Sequence, residues 1–242
     1  MVKAIIAYLK RITRRMSGLE LVNDVPDEYF PKGELFVDEK GRLTQLFTTR
    51  FGESVTEVLA KCPYGKPGDV LWVRESFIRR EPRGDFGPFG YKADMRHANI
   101  GNTIKWRLSI HMPKEACRIY LQITDIRVER LQCISETDAL AEGIVYLPHL
   151  GGYHWSKDVV FAYDTPQSAF KHLFISINNK PSPVKDDDGN LIHYKAIAWD
   201  QDHFDCHFAK YNGMYRGKKL IVTINPWVWV ISFKRIDKPK EV

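Results

Sequence analysis

Lys10-Arg11-Ile12-Thr13-Arg14-Arg15 follows directly on the apolar run Ala4-Ile5-Ile6-Ala7 and places four cations and one hydroxyl within six residues. Like charges this close repel, so the segment requires full solvation or an anionic partner. Two readings follow: a solvated N-terminal arm, or a site whose floor is Lys10 and Thr13. If the chain is extended here, Thr13 and Arg15 share a face, because side chains alternate along a strand. The value of the second reading depends on what the remaining chain can bring to that floor.

The chain has 242 residues, of which 44% are hydrophobic and 12% aromatic, enough apolar material for a core and too much for global disorder. A net charge of +6 favours an anionic partner, nucleic acid ahead of an acidic membrane surface. Cys62, Cys117, Cys133 and Cys206 form no CxxC pair, so free thiols in a reducing compartment are expected. His203-x-x-x-His207 has helical spacing with Asp202, Asp205 and Cys206 nearby, but lacks the glutamate of the zinc-hydrolase motif. No metal or cofactor is assigned. Apolar runs fall short of the roughly 18 residues a membrane span needs, and Lys3 and Lys10 bracket too few for a signal-peptide core. A cytoplasmic protein without membrane association is the expectation.

Along the chain, residues 3–9 read as a short helix, Leu43–Thr49 as a strand and Ser54–Lys61 as a short helix, with Pro26, Pro31, Gly33 and Gly41 as punctuation. Lys66-Pro67-Gly68-Asp69 predicts a type II turn launching a strand over Val70–Phe77. Glu75 is in phase with Leu71, Val73 and Phe77, which puts it at the open end of that strand or in a pocket. Residues 79–107 interleave arginines with aromatics (Arg79, Arg80, Arg83, Phe86, Phe89, Tyr91, Arg96, Trp106, Arg107) and read as a long, partly mobile loop. It suits either a nucleic-acid strand or a cover over the core.

Arg118–Arg130 is a long strand of alternating β-branched and aromatic residues. Ser135 to Gly143 has an N-cap, acids in the first turn and a glycine stop, which leaves Glu142 in the last turn of a short helix. There the negative end of the helix dipole disfavours its ionised form. Thr165-Pro166 starts a second helix with Ala169, Phe170, Leu173 and Phe174 on its buried face. Asn179 to about Arg216 reads as less regular, an insertion, and two strands, Lys219–Ile224 and Trp227–Lys234, close the chain. Trp227-Val-Trp-Val-Ile231 lacks polar alternation, as expected of a strand covered on both faces.

This order of pieces resembles the ASCH domain, a relative of the PUA domain, and is most similar to its bacteriophage and prophage branch. The likeness is carried by Lys10-x-x-Thr13-x-Arg15, Cys62-Pro-Tyr-Gly-Lys-Pro-Gly-Asp69 with Trp72-Val-Arg-Glu75, and Trp106-Arg-x-Ser-Ile-His111-Met-Pro113. Val128-Glu-Arg-Leu-Gln132, Ala139-x-x-Glu142-Gly143 and Asn225-Pro-Trp-Val-Trp-Val230 extend it. The resemblance implies an α+β fold, a small PUA-like β-barrel with flanking short helices and long loop insertions. It implies one domain over 1–242, with insertions at 18–60 and 180–216. The family signature is Gly-x-Lys-x-x-Glu-x-Arg; here Tyr8 stands at the glycine and Thr13 at the glutamate. Threonine at that place also occurs in the family's small bacterial amidohydrolases, which deacetylate N(4)-acetylcytidine.

By that resemblance Lys10, Thr13 and Glu142 form a catalytic set, while Arg14, Arg15, Trp72, Glu75, Trp106 and His111 contact the substrate. Physically, burial and the neighbouring cations lower the Lys10 pKa, making it a base toward water or Thr13. Glu142 then protonates the leaving nitrogen, and Arg15 holds Glu142 or supports the oxyanion. Two functions result: hydrolysis of an N-acylated nucleoside, or non-catalytic binding of a nucleobase, nucleoside, RNA or single-stranded nucleic acid in a cationic pocket. A metal-dependent nuclease lacks the carboxylate cluster it requires.

Overall fold

In the computed structural model, described residues are 2–23, 34–48, 54–81, 87–95, 105–156 and 159–239. The architecture is mixed α+β, mostly strands with a few short helices. Its centre is a four-stranded antiparallel sheet in the order Ile12–Arg15, Trp227–Ile236, Tyr120–Arg130, Val70–Trp72. Both faces of Trp227–Ile236 are covered. Val228 and Val230 pack with Leu131, Ile144 and Phe170 on one side, and Trp229 and Ile231 with Leu19, Leu43 and Ile126 on the other. All four residues are buried, which is why the run shows no polar alternation.

A second four-stranded sheet, Ser182–Lys185, Leu191–Ala198, Lys218–Ile224 and Met214–Tyr215, contains a parallel pair at its middle. A third sheet joins Glu34–Val37, Arg42–Thr48 and Ser54–Lys61. Among the described residues no sheet closes on itself, so the expected small barrel is not seen. The two edges of the central sheet are short, four and three residues, and offer little ladder for closure.

Several local signals are realised. Ser135 accepts from Asp138 N at 3.1 Å, Thr165 accepts from Ser168 N at 3.1 Å, and Asp69 N donates to Lys66 O at 3.1 Å to close the Pro-Gly turn. The helix predicted over Ser54–Lys61 is instead a strand, because Val55, Thr56 and Val58 are β-branched and Arg42–Thr48 satisfies its backbone. Residues 180–216 are regular rather than irregular. They hold the Ser182–Lys185/Leu191–Ala198 hairpin around Asp186–Gly189, and the helix Gln201–His207 capped by Asp200.

The strand predicted over Val70–Phe77 divides into Val70–Trp72 and Phe77–Arg79, the latter pairing with Phe89–Tyr91 inside the segment read as a loop. Arg83, Phe86 and Arg96 of that segment lie outside the described residues, as do Pro26, Pro31 and Gly33. Glu75 sits between the two short strands and is buried, gripped by both Arg118 nitrogens Nε and NH2 at 2.8 and 2.9 Å. Arg118 in turn holds Asp94 and lies over the Tyr91 ring.

The first helix, Val2–Ile6, ends where Tyr8 adopts φ +56°, a left-handed conformation that lets Leu9 N and Lys10 N return to Ala4 O. Glycine takes this conformation without cost, whereas the Cβ of Tyr8 strains it. The Tyr8 ring is mostly exposed, with Arg235 over it at 5.4 Å. Tyr8→Gly should relieve about 1 kcal/mol of backbone strain and raise the melting temperature by about 2–4 °C. Scanning calorimetry reads this directly, and a lowered midpoint would mean the Arg235 contact outweighs the strain.

Candidate functional site

The helix Glu136–Ala141 delivers Glu142 to the N-terminal bend. Arg11 N donates to Ala141 O at 2.7 Å, and Lys10 and Glu142 form an isolated antiparallel bridge. Gly143 follows at φ +102°, and a Cβ there would stand 3.3 Å from the Ala4 side chain, so glycine permits the close approach of helix and bend. Lys10 Nζ donates to the Glu142 carbonyl at 3.1 Å and to its carboxylate oxygen Oε2. Arg14 donates to Glu129 at 2.6 Å, to Asp138 at 2.8 Å and to Glu142 Oε1 at 3.5 Å. Arg127 shares the acids Glu129 and Asp138. Lys10, Arg14 and Glu142 are all buried.

The charge run is therefore no solvated arm. Its two inward cations enter the protein because three acids meet them, Glu129 from the long strand and Asp138 and Glu142 from the short helix after it. Burying such charges costs several kcal/mol each unless they are paired, and here each is paired. Burial is the largest influence on Lys10 and pulls its pKa below the ordinary 10.5; Glu142 pulls upward against it, and Arg15 and Arg14 add smaller depressions.

Lys10, Arg14 and Glu142 line a cavity of about 430 Å³, together with Arg15, Trp155, Phe170, Leu173 and Phe174. That volume lies in the range of small-molecule sites. The Arg14 guanidinium stands 5.7 Å from the centre of the Phe170 ring, and Trp155 stacks on His154 at 3.9 Å.

The predicted residues divide. Lys10, Arg14, Arg15 and Glu142 line the cavity, but Thr13 does not. Thr13 pairs with Ile231 across the sheet and Arg14 with Val230, so Thr13 faces the opposite core. Its Oγ1 is buried with no hydrogen-bond partner among the described residues. Glu142 is gripped by Arg14 rather than Arg15, whose NH1 donates to the Arg14 carbonyl at 3.1 Å.

Trp72, Glu75, Trp106 and His111 line no part of this cavity. Trp72 lies under Arg74 at 4.7 Å and packs against the Phe77 and Met112 cluster, and His111 is exposed in the short turn Ser109–His111. At the HxxxH pair, His203 Nδ1 accepts from Trp199 N at 2.9 Å. The Nδ1 lone pair is thus taken by Trp199, and in the neutral ring Nε2 carries the proton, so His203 presents no lone pair to a metal in this arrangement.

Sequence reasoning missed Glu129 and Asp138 as partners of Arg14, and Trp155 as lining. Phe170, Leu173 and Phe174 carried a signal, the apolar face of their helix, but it pointed to core alone. No protein-family model, no curated protein and no solved structure matches the chain.

Glu142→Gln leaves Lys10 without its carboxylate and should destabilise the fold by about 3 kcal/mol in urea denaturation. Lys10→Met combined with it should recover most of that loss; strict additivity of the two changes would show the pair to be uncoupled. A pH dependence follows as well. With the folded Lys10 pKa below 10.5, the unfolded chain binds more protons in the interval between the two values. The stability of the wild type relative to Lys10→Met should thus rise with pH across that interval, and its penalty should be full below it. A relative stability that falls with pH there would reverse the sign of the Lys10 shift.

Proposed function

We propose that the cavity beside Lys10 binds a nucleobase or nucleoside. The observation that carries this is the pairing of a charge-compensated polar wall, Lys10 and Arg14 with Glu142, with the aromatic lining of Trp155, Phe170 and Phe174. A neutral, planar heterocycle matches both halves: its ring edges exchange hydrogen bonds with fixed donors and acceptors, and its faces meet aromatic carbon. A bare phosphate matches poorly, because Glu142 already occupies the cations it would need. The likeness of Lys10-x-x-Thr13-x-Arg15 and Ala139-x-x-Glu142-Gly143 to the ASCH domain supports the same class of ligand. On this proposal the central sheet and its short helices correspond to the PUA-like core.

Hydrolysis of an N-acylated nucleoside such as N(4)-acetylcytidine is a second reading, favoured by the depressed Lys10 pKa. In that reading Lys10, once it has given up its proton, takes one from water as that water attacks the amide carbonyl, and this proton is passed to the departing exocyclic amine. Thr13 faces away from the cavity, so water is the nucleophile in this version and Thr13 supports the strand.

Titration calorimetry with cytidine and N(4)-acetylcytidine tests the binding, and chromatography for cytidine and acetate tests the chemistry. Trp155→Ala should weaken nucleoside binding by about 1–3 kcal/mol, about 5- to 150-fold, if the ring stacks on the base. Lys10→Met should abolish turnover. Nucleosides that fail to bind the wild type would sink the proposal, and binding without turnover would leave recognition alone.

A further inference from the structure

A second hollow, of about 480 Å³, is lined by Lys40, Arg42, Lys61, Gly65, Lys66 and Asp69 and shares no residue with the first cavity. Its cations arrive from three places. Lys40 lies in, and Arg42 directly follows, the tight turn between Glu34–Val37 and Arg42–Thr48, Lys61 ends Ser54–Lys61, and Lys66 opens the Pro67-Gly68 turn. These turns are locked against each other. Cys62 N donates to Gly41 O at 2.8 Å, and a Cβ at Gly41 would stand 2.6 Å from Gly65 O. Two acids stand near. Asp38 is bound by the Arg42 guanidinium, at 2.7 Å to Nε, and by the backbone of residues 40 and 42. Asp69 accepts from Lys66 N at 3.0 Å.

Lys40, Lys61 and Lys66 are exposed, and none of their ammonium groups has a carboxylate partner among the described residues. This is the reverse of the Lys10 site, where acids answer the cations. The locked turns hold Lys40, Lys61, Lys66 and the Asp38-paired Arg42 around one space that Asp69 also lines, and the repulsion among the three lysines is left for a ligand to relieve. The geometry points to a binding site for a phosphate-bearing anion, with the lysines as point-charge donors to phosphate oxygens and Arg42 oriented by Asp38. The phosphate can belong to a free polyphosphate or to a phosphodiester backbone. This site is independent of the nucleobase cavity.

The test compares the full chain with Lys40→Ala/Lys61→Ala/Lys66→Ala, whose exposed positions leave the fold intact, as far-UV circular dichroism checks. Calorimetry with pyrophosphate and anisotropy with a labelled single-stranded oligonucleotide, both at low salt, are the two arms. The wild type should bind at least one of these anions, and the triple variant should bind it at least about tenfold more weakly. For the oligonucleotide, the slope of log K against log salt should flatten by about 2, since each phosphate contact on a single strand contributes about 0.7. Pyrophosphate binding alone assigns the site to free phosphates, and oligonucleotide binding with the flattened slope assigns it to a backbone. Equal affinity in the two proteins, or no binding in either arm, overturns the inference. So does loss of anion binding in Lys10→Met with retention in the triple variant, which would put the anion in the first cavity; failure of nucleoside binding bears only on that cavity.

Discussion

Two cations cannot be taken out of water near the beginning of this chain unless acids arrive to meet them, and much of the architecture around the cavity is the means of their arrival. Arg14 lies on the edge strand of the central sheet, Glu129 on its long strand, and Asp138 and Glu142 on the short helix that follows. Hydrophobic burial places those elements near one another without specifying how they lie. The ion network adds direction: a shift of the helix by one residue would rotate Glu142 and Asp138 away from their partners and leave buried charge uncompensated.

The sheet supplies the frame on which that network is stretched. Trp227–Ile236 separates two cores, and alternate residues of the neighbouring strand Ile12–Arg15 inherit this division. Arg14 goes to the side of Phe170 and Val230, and Thr13 to the side of Trp229 and Ile231. The cavity exists on the first side because the Pro166–Asn178 helix lays Phe170, Leu173 and Phe174 over the network without filling the space beside it. Catalytic geometry borrowed from the resemblance would need Thr13 and Lys10 to converge, and the pleat forbids it.

That point was legible in the sequence. Lys10 and Thr13 are three apart, an odd spacing that puts them on opposite faces of extended backbone, while Lys10, Ile12 and Arg14 share a face. Ser135, Thr165 and Pro67-Gly68 were readable because caps and turns act through neighbours along the chain. Ser54–Lys61 was not, since its conformation is decided by a strand it meets only in three dimensions. The choice of Arg14 over Arg15 as the partner of Glu142 was open for a similar reason: both are cations of equal reach, and only the register with Val230 and Trp229 distinguishes them. Residues 180–216 were misread because their hairpin is tied to Lys218–Ile224, and pairing of that kind leaves little local periodicity.

The strand between the two cores is also the last of the central sheet to leave the ribosome. Until it emerges, Ile12–Arg15 has no neighbour to ladder with, and the nascent chain carries Arg14 beside acids it has no frame to hold. Sequence-distant pairing of this kind is slow to form, so the sheet assembles only after Trp227–Ile236 has been synthesised. During that wait Val228, Trp229, Val230 and Ile231 are an adhesive segment without its two covers, the kind of stretch that holdase chaperones shield.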